Sequence, residues 1–248
     1  MCRHVAYLGP PIALDALVFS TPTALAGQAR APRFQPGIDD NPHGYGIGWY
    51  DADGGLQRHR STTAIWDDPD LPPLAGSTRS GAFVAAARLA SPGLPVEVSG
   101  NAPFTDGRWL FSLNGIVLGW HDGFGAVLRS RVSATRAQGI EGSADSEVLF
   151  ALALDAVDAG ATAAEALADV VGAVAPRSAG ELNMVLADAE QVAATVWGHT
   201  LHARVDDGLT LASEPFDDGD DWDRLPDRTV VSGDQQGWRS TTLEIGVR

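Results

Sequence analysis

The sequence predicts an α+β fold of layered antiparallel sheets, and three observations carry that prediction. Strand-like segments of period two come first and last, and segments of helical period lie between them. Short Asp-Gly hairpin signals join the strands, in place of the strand–helix–strand alternation of a parallel sheet. With 248 residues and 44% hydrophobic content the chain can bury a sizeable core, and with no break in composition it reads as one domain over residues 2–248, Met1 being removed.

The segment His4 to Leu8 reads as the first strand, closed by Gly9-Pro10-Pro11. A short apolar helix is expected over Ile12 to Phe19. Pro22, Gly27, Pro32, Pro36 and Gly37 then mark a long irregular segment up to Asn41, of the kind that serves function. In Asn41 to Tyr50, Gly44, Gly46 and Gly48 alternate, which predicts close backbone approach on one face of a strand. Asp53-Gly54 turns that strand into a partner around Leu56 to Arg60. No helical pattern follows, so the glycines are not a phosphate-binding loop.

Gly81 to Ala87 is an apolar strand that ends in Arg88, a charge that a buried strand carries only with a partner. The strand Trp109 to Leu113 runs directly into Asn114-Gly115. That dipeptide is an ordinary tight turn on one reading; on the other, the Asn amide and the Gly backbone N–H form an oxyanion hole. Helices are expected over Gly119 to Val132, Ser146 to Val157 and Ala163 to Val174, the last opening with Thr162 and Glu165 at capping-box spacing. Asp145 directly precedes the second of these, where an N-cap residue stands. Strands return at Leu182 to Ala187, Val192 to Trp197, Leu201 to Val205 and Leu209 to Ala212, with Asp207-Gly208 as a further hairpin. Phe216 to Trp222 holds four aspartates and reads as a solvated loop, and Thr229 to Ser232 and Thr241 to Val247 are expected edge strands.

The chain holds one cysteine, at position 2. Removal of Met1 would place a thiol and a free α-amine on one residue, and an amine of pKa near 7.7–8.0 can accept the thiol proton at cellular pH. The competing reading is a buried, inert thiol. A single cysteine excludes an internal disulfide, no apolar run is long enough to span a membrane, and no signal peptide is evident, so a cytoplasmic protein is expected. A formal charge of −15 with no basic stripe argues against nucleic acid, and no Cys or His spacing suggests a metal.

In this order Cys2, the Gly-rich strand from Asn41 to Tyr50, Arg88-Leu89-Ala90-Ser91, Asn114-Gly115 and Asp145-Ser146-Glu147 resemble the glutaminase domain of class II glutamine amidotransferases, which are N-terminal nucleophile hydrolases. The opening from Cys2 to Pro11, with Ser213-Glu214-Pro215, is most similar to the amidohydrolase branch that acts on γ-glutamyl-hercynylcysteine sulfoxide in ergothioneine biosynthesis. The similarity runs from Cys2 to about Pro226. It implies a four-layer αββα sandwich with two mainly antiparallel sheets, a small γ-glutamyl substrate and no cofactor. It also implies residue roles: Cys2 attacks the γ-carbonyl through a thioester, Asn114 and Gly115 hold the oxyanion, Arg88 with Ser91 binds the α-carboxylate, and Asp145 takes the α-ammonium. His43 departs from the family pattern where an Asp is expected, which bears on loop hydrogen bonding more than on chemistry. Trp49, Trp120 and Trp222 are expected to pack rather than line the site. A glutaminase feeding ammonia to a separate synthase, a non-catalytic γ-glutamyl-binding protein and a homo-oligomer all remain open at this level.

Overall fold

A computed structural model describes residues 2–245 except 36, 39 and 92. The elements run β1 (Cys2–Ala13), α1 (Asp15–Val18), α2 (Leu25–Arg30), β2 (Tyr45–Tyr50), β3 (Leu56–Ser61), α3 (Leu71–Ser77) and β4 (Arg79–Arg88). There follow β5 (Phe104–Thr105), β6 (Leu110–Ile116), α4 (Gly125–Arg129), α5 (Ala134–Ala137), α6 (Asp145–Asp158) and α7 (Ala163–Val174). The chain closes with β7 (Glu181–Ala187), β8 (Val192–Val196), β9 (His202–Val205), β10 (Leu209–Ala212), β11 (Asp223–Arg224), β12 (Thr229–Asp234) and β13 (Gly237–Thr242).

Seven strands form one sheet in the order β11-β9-β10-β1-β4-β2-β3, and six form the other in the order β13-β12-β8-β7-β6-β5. Neighbouring strands are antiparallel in both, as in β1 with β4 and β6 with β7. Strand alternation divides the apolar side chains among three cores. Val5, Tyr7, Phe83 and Ala85 face α1 to α3 on one side. Ala6, Leu8, Val84, Leu110 and Val185 meet between the sheets, while Leu113, Leu182 and Met184 face α6 and α7 beyond. Three buried interfaces require four layers, helix–sheet–sheet–helix, which is the expected sandwich.

Gly46 and Gly48 serve the sheet contact as the pattern predicts. A Cβ on Gly46 would overlap the Ala102 carbonyl, and one on Gly48 the Leu110 side chain. The Asp53-Gly54 and Asp207-Gly208 hairpins form, joining β2 to β3 and β9 to β10, and Thr162 and Glu165 make a complete capping box.

Several expectations are corrected. Strand β1 does not stop at Gly9-Pro10-Pro11; its register with β4 shifts between Leu8 and Ile12, so an irregularity absorbs residues that lack amide donors. The helix expected over Ile12 to Phe19 shrinks to α1, because Ile12 and Ala13 are still paired with β4. The irregular segment hides α2, whose Gly27 sits against the Pro22 carbonyl. Gly119 to Val132 is broken: Asp122 and Gly123 leave helical geometry, Gly123 at φ +98°, before α4. The final strand is Gly237–Thr242 rather than Thr241 to Val247, and Val247 lies outside the described residues.

Candidate active site

Antiparallel pairing sets the first feature of the site. Strand β1 starts where β4 ends, so Cys2 stands opposite Arg88. Ser213 fixes this end of β1 from the other side: its N–H donates to the His4 carbonyl and its Oγ accepts from the His4 N–H, both at 3.0 Å. Cys2, half-buried, is therefore aimed by a sheet rather than left on a frayed terminus. It lines a cavity together with Arg88, Ser91, Gly115 and Asp145.

The second sheet contributes Asn114. Asn114-Gly115 is not a turn; both residues lie inside β6, opposite Asn183 and Leu182 of β7. A Cβ on Gly115 would overlap the Glu181 carbonyl oxygen, so glycine is required for the two strands to pair. The Asn114 side chain is fully buried. Its Oδ1 accepts the Cys2 backbone N–H at 3.0 Å and, at 3.5 Å, an Nη2–H of Arg3. Both neighbours are donors, which fixes the orientation of the carboxamide. Its Nδ2 has no hydrogen-bond partner among the described residues. An unpaired buried donor is costly, and here it belongs to a residue held beside a thiol.

Arg88 is buried, and its guanidinium donates to the Pro95 carbonyl at 3.2 Å. Gly100 packs on the flat face of that group, with room for no side chain: a Cβ would lie 2.7 Å from the guanidinium. His43 ties the following loop down, its N–H donating to the Arg88 carbonyl at 2.9 Å and its Nδ1 accepting the Ala90 N–H at 3.0 Å. His43 therefore serves loop hydrogen bonding, as its departure from the family pattern suggests.

Asp145 is not an N-cap. Ala144 holds that position and Asp145 is the first residue of α6. Its Oδ2 accepts the Val117 N–H at 2.9 Å and its Oδ1 the Ser146 N–H at 2.8 Å. Burial pushes its carboxyl above the usual range, against the pull of these two donors. Asp145, Ser91 and Leu94 also border a second cavity that reaches Val117, Trp120 and Asp122. Trp49 and Trp222 pack on the core beside α1 to α3, as expected; Trp120 packs on the opposite core and also lines this second cavity.

Sequence reasoning did not find the groups behind the site. Arg3 and Glu214 form an ion pair at 3.0 Å with neither side chain exposed. Glu214 appeared only within a family motif, and the usable signal was a pair of opposite charges embedded in apolar strand ends. His4 is buried, and burial drives its pKa down to about 3, so it is neutral, with Nδ1 3.2 Å from Ser112 Oγ. His199 donates from Nε2 to Glu181 at 2.9 Å. Burial and the charge of Arg3 hold His199 at about 4, so this contact is a hydrogen bond from a neutral imidazole rather than an ion pair. Asn183 clamps the same turn, its Oδ1 accepting the Trp197 and His199 N–H groups.

A thiol, a guanidinium and a carboxylate around one cavity, with a buried carboxamide bonded to the nitrogen of the thiol-bearing residue, form a set that can hold an α-amino acid by its head group and present an acyl carbon to sulfur. With the two face-to-face antiparallel sheets, this defines the class as a class II glutamine amidotransferase domain of the N-terminal nucleophile hydrolase fold. No protein-family model matches the chain. A glutamine aminotransferase class-II domain protein from Silicibacter pomeroyi superposes with a TM-score of 0.69 at 25% identity, covering 98% of this chain and 99% of that one. The γ-glutamyl-hercynylcysteine sulfoxide hydrolase of Mycolicibacterium smegmatis is 39% identical over 232 residues, 93% of this chain and 95% of the relative. The Mycobacterium tuberculosis hydrolase of the same name is 38% identical over 250 residues, 98% and 97% of the two chains. The chain belongs to the family of γ-glutamyl-hercynylcysteine sulfoxide hydrolases.

Proposed function

We propose that the protein hydrolyses the γ-glutamyl amide bond of γ-glutamyl-hercynylcysteine sulfoxide, releasing glutamate and hercynylcysteine sulfoxide in ergothioneine biosynthesis. The observation that carries this reading is the Asn114 carboxamide, with Oδ1 taken by the Cys2 nitrogen and Nδ2 buried without a partner among the described residues. Removal of Met1 turns that nitrogen into the α-amine. The amine takes the thiol proton as sulfur attacks the γ-carbonyl. The oxyanion forms against Asn114 Nδ2 and the Gly115 N–H. Collapse breaks the C–N bond as the protonated α-amine delivers its proton to the leaving nitrogen, and water then cleaves the thioester to release glutamate. Arg88, with Ser91 beside it, receives the α-carboxylate, a task suited to a planar guanidinium. Asp145 receives the α-ammonium, which lowers the cost of keeping that carboxylate ionised.

The second cavity favours a substrate larger than glutamine. Trp120 and Asp122, both among the residues lining it, are an aromatic and an acidic residue, the types that suit a trimethylammonium group. A lone thiol serves as nucleophile only where it stays reduced, so we place the reaction in the cytoplasm.

The test is intact-mass analysis after exposure to a diazo-ketone glutamine analogue, with parallel assays on γ-glutamyl-hercynylcysteine sulfoxide and glutamine. A Met-free chain with one adduct on Cys2 and preference for the bulky substrate supports the reading. Preference for glutamine with ammonia passed to a co-purifying synthase would replace it with the glutaminase role, and unlabelled protein that still binds the substrate would make it a binding protein.

A further inference from the structure

The residues behind Asn114 form a chain of contacts that the proposed mechanism leaves unused. Arg3 is wholly buried and donates to three acceptors: from Nε to the Cys2 carbonyl at 2.8 Å, from Nη1 to Glu214 Oε1 at 3.0 Å, and from Nη2 to Asn114 Oδ1 at 3.5 Å. Glu214 is itself held rigidly. Its Oε1 accepts the Arg33 and Phe34 N–H groups, each at 3.1 Å, and its Oε2 accepts the Arg33 N–H at 2.9 Å. Gln28 of α2 donates to its backbone carbonyl at 2.8 Å. The ion pair thus links the loop at Arg33, helix α2, the start of β1 and the middle of β6.

Stability alone does not account for such a pair. Withdrawing two charges from water costs several kcal/mol per ion, and well-packed apolar residues often do as well or better. What the pair supplies is direction. A guanidinium is a fixed planar fork, and this one braces the nucleophile's own carbonyl and the oxyanion donor's amide oxygen while Glu214 sets its plane.

We infer that Arg3 and Glu214 are positioning residues: the guanidinium, aimed by Glu214, holds the Asn114 carboxamide so that Nδ2 faces the reacting carbonyl. Neither touches the substrate. The clamp acts through Asn114, so its effect belongs to the transition state and appears in kcat rather than in KM. The inference rests on the amidohydrolase reading for its kinetic consequence and on the structure alone for its geometric one.

A double-mutant cycle with a solution measurement of the Asn114 side chain tests it. Glu214→Gln is expected to lower kcat on γ-glutamyl-hercynylcysteine sulfoxide by about 10-fold or more, less than the roughly 10²–10³-fold loss for Asn114→Ala. KM should stay within about 2-fold, and on an Asn114→Ala background Glu214→Gln should cost almost nothing further. Arg3→Lys, which keeps the charge opposite Glu214 but loses the fork, should behave alike and serves where Glu214→Gln fails to fold. In solution the Asn114 carboxamide NH₂ resonances, identified by their loss in Asn114→Ala, should be rigid in the wild type and averaged in either variant. A multiplicative loss on the Asn114→Ala background, a change confined to KM, or carboxamide signals unmoved in the folded variants would overturn the clamp. Wild-type protein that cleaves no γ-glutamyl amide while its Asn114 signals loosen in the variants would instead sink the amidohydrolase reading and leave the clamp standing.

Discussion

Two arginines flank the thiol and are handled in opposite ways. On the Arg3 side the guanidinium has no exposure and a buried carboxylate at 3.0 Å. On the Arg88 side, across the β1–β4 pairing, the guanidinium is nearly as deep but forms no ion pair among the described residues, and its hydrogen bond goes to the Pro95 carbonyl. A charge buried with its counter-ion is a fixture of the fold. A charge buried without one is costly until something anionic arrives, and the cavity beside Arg88 is where it can arrive. On the proposed reading, the contrast separates the groups that aim the chemistry from those that receive the substrate.

Removing the proposed oxyanion donor is the most severe way to probe this division. Asn114→Ala should lower kcat by about 10²–10³-fold with substrate binding largely intact; a loss confined to binding would contradict the role. On the receiving side, Arg88→Gln leaves an incoming carboxylate unpaired, at a cost of about 2–3 kcal/mol, or roughly 30–150-fold in KM. Equal losses on substrates with and without the α-carboxylate would show that Arg88 is structural. Asp145→Asn should raise KM by about 10-fold or more, consistent with removing a charge-assisted hydrogen bond, and the penalty should vanish for a substrate lacking the α-amine.

A separate effect is on stability rather than on rate. The His4 and His199 pKa values, about 3 and about 4 in the fold, lie below the ordinary 6.5. As pH falls below about 6.5 the unfolded chain binds protons that the folded chain refuses, so stability drops toward pH 4, by up to about 1.4 kcal/mol per pH unit for each imidazole. Asp145 and Glu181, raised by burial, act in the opposite sense near the carboxylate range. Urea unfolding at pH 7, 6 and 5 should show the decline, and His4→Gln should flatten it; a flat wild-type profile would mean that the fold binds protons at these imidazoles as readily as the unfolded chain does.

Which features the sequence exposed follows from what each one depends on. The hairpins at Asp53-Gly54 and Asp207-Gly208, the alternating glycines of β2 and the capping box of α7 depend on near neighbours, so local pattern revealed them. Helix α2 and the continuation of β1 through its prolines depend on packing against β4 and the Pro22 carbonyl, which local propensity cannot report. At the site, the types and order of Cys2, Arg88, Ser91, Asn114, Gly115 and Asp145 were legible through family resemblance. That Asn114-Gly115 is strand rather than turn was not, because the Asn-Gly dipeptide suits a turn until β7 pairs with it.

By itself the sequence determined the layered α+β class and the one residue able to combine thiol and amine, because composition, periodicity and uniqueness are properties of the chain alone. The tertiary structure decided that Cys2 meets Arg88 across one sheet and Asn114 from the other, that among the described residues Asn114 Nδ2 is left without a partner, and that there Arg3 is neutralised by a glutamate 211 positions away while Arg88 is not. Those are pairings between distant strands, and strand register with the burial of charge, rather than any local preference, fixes them.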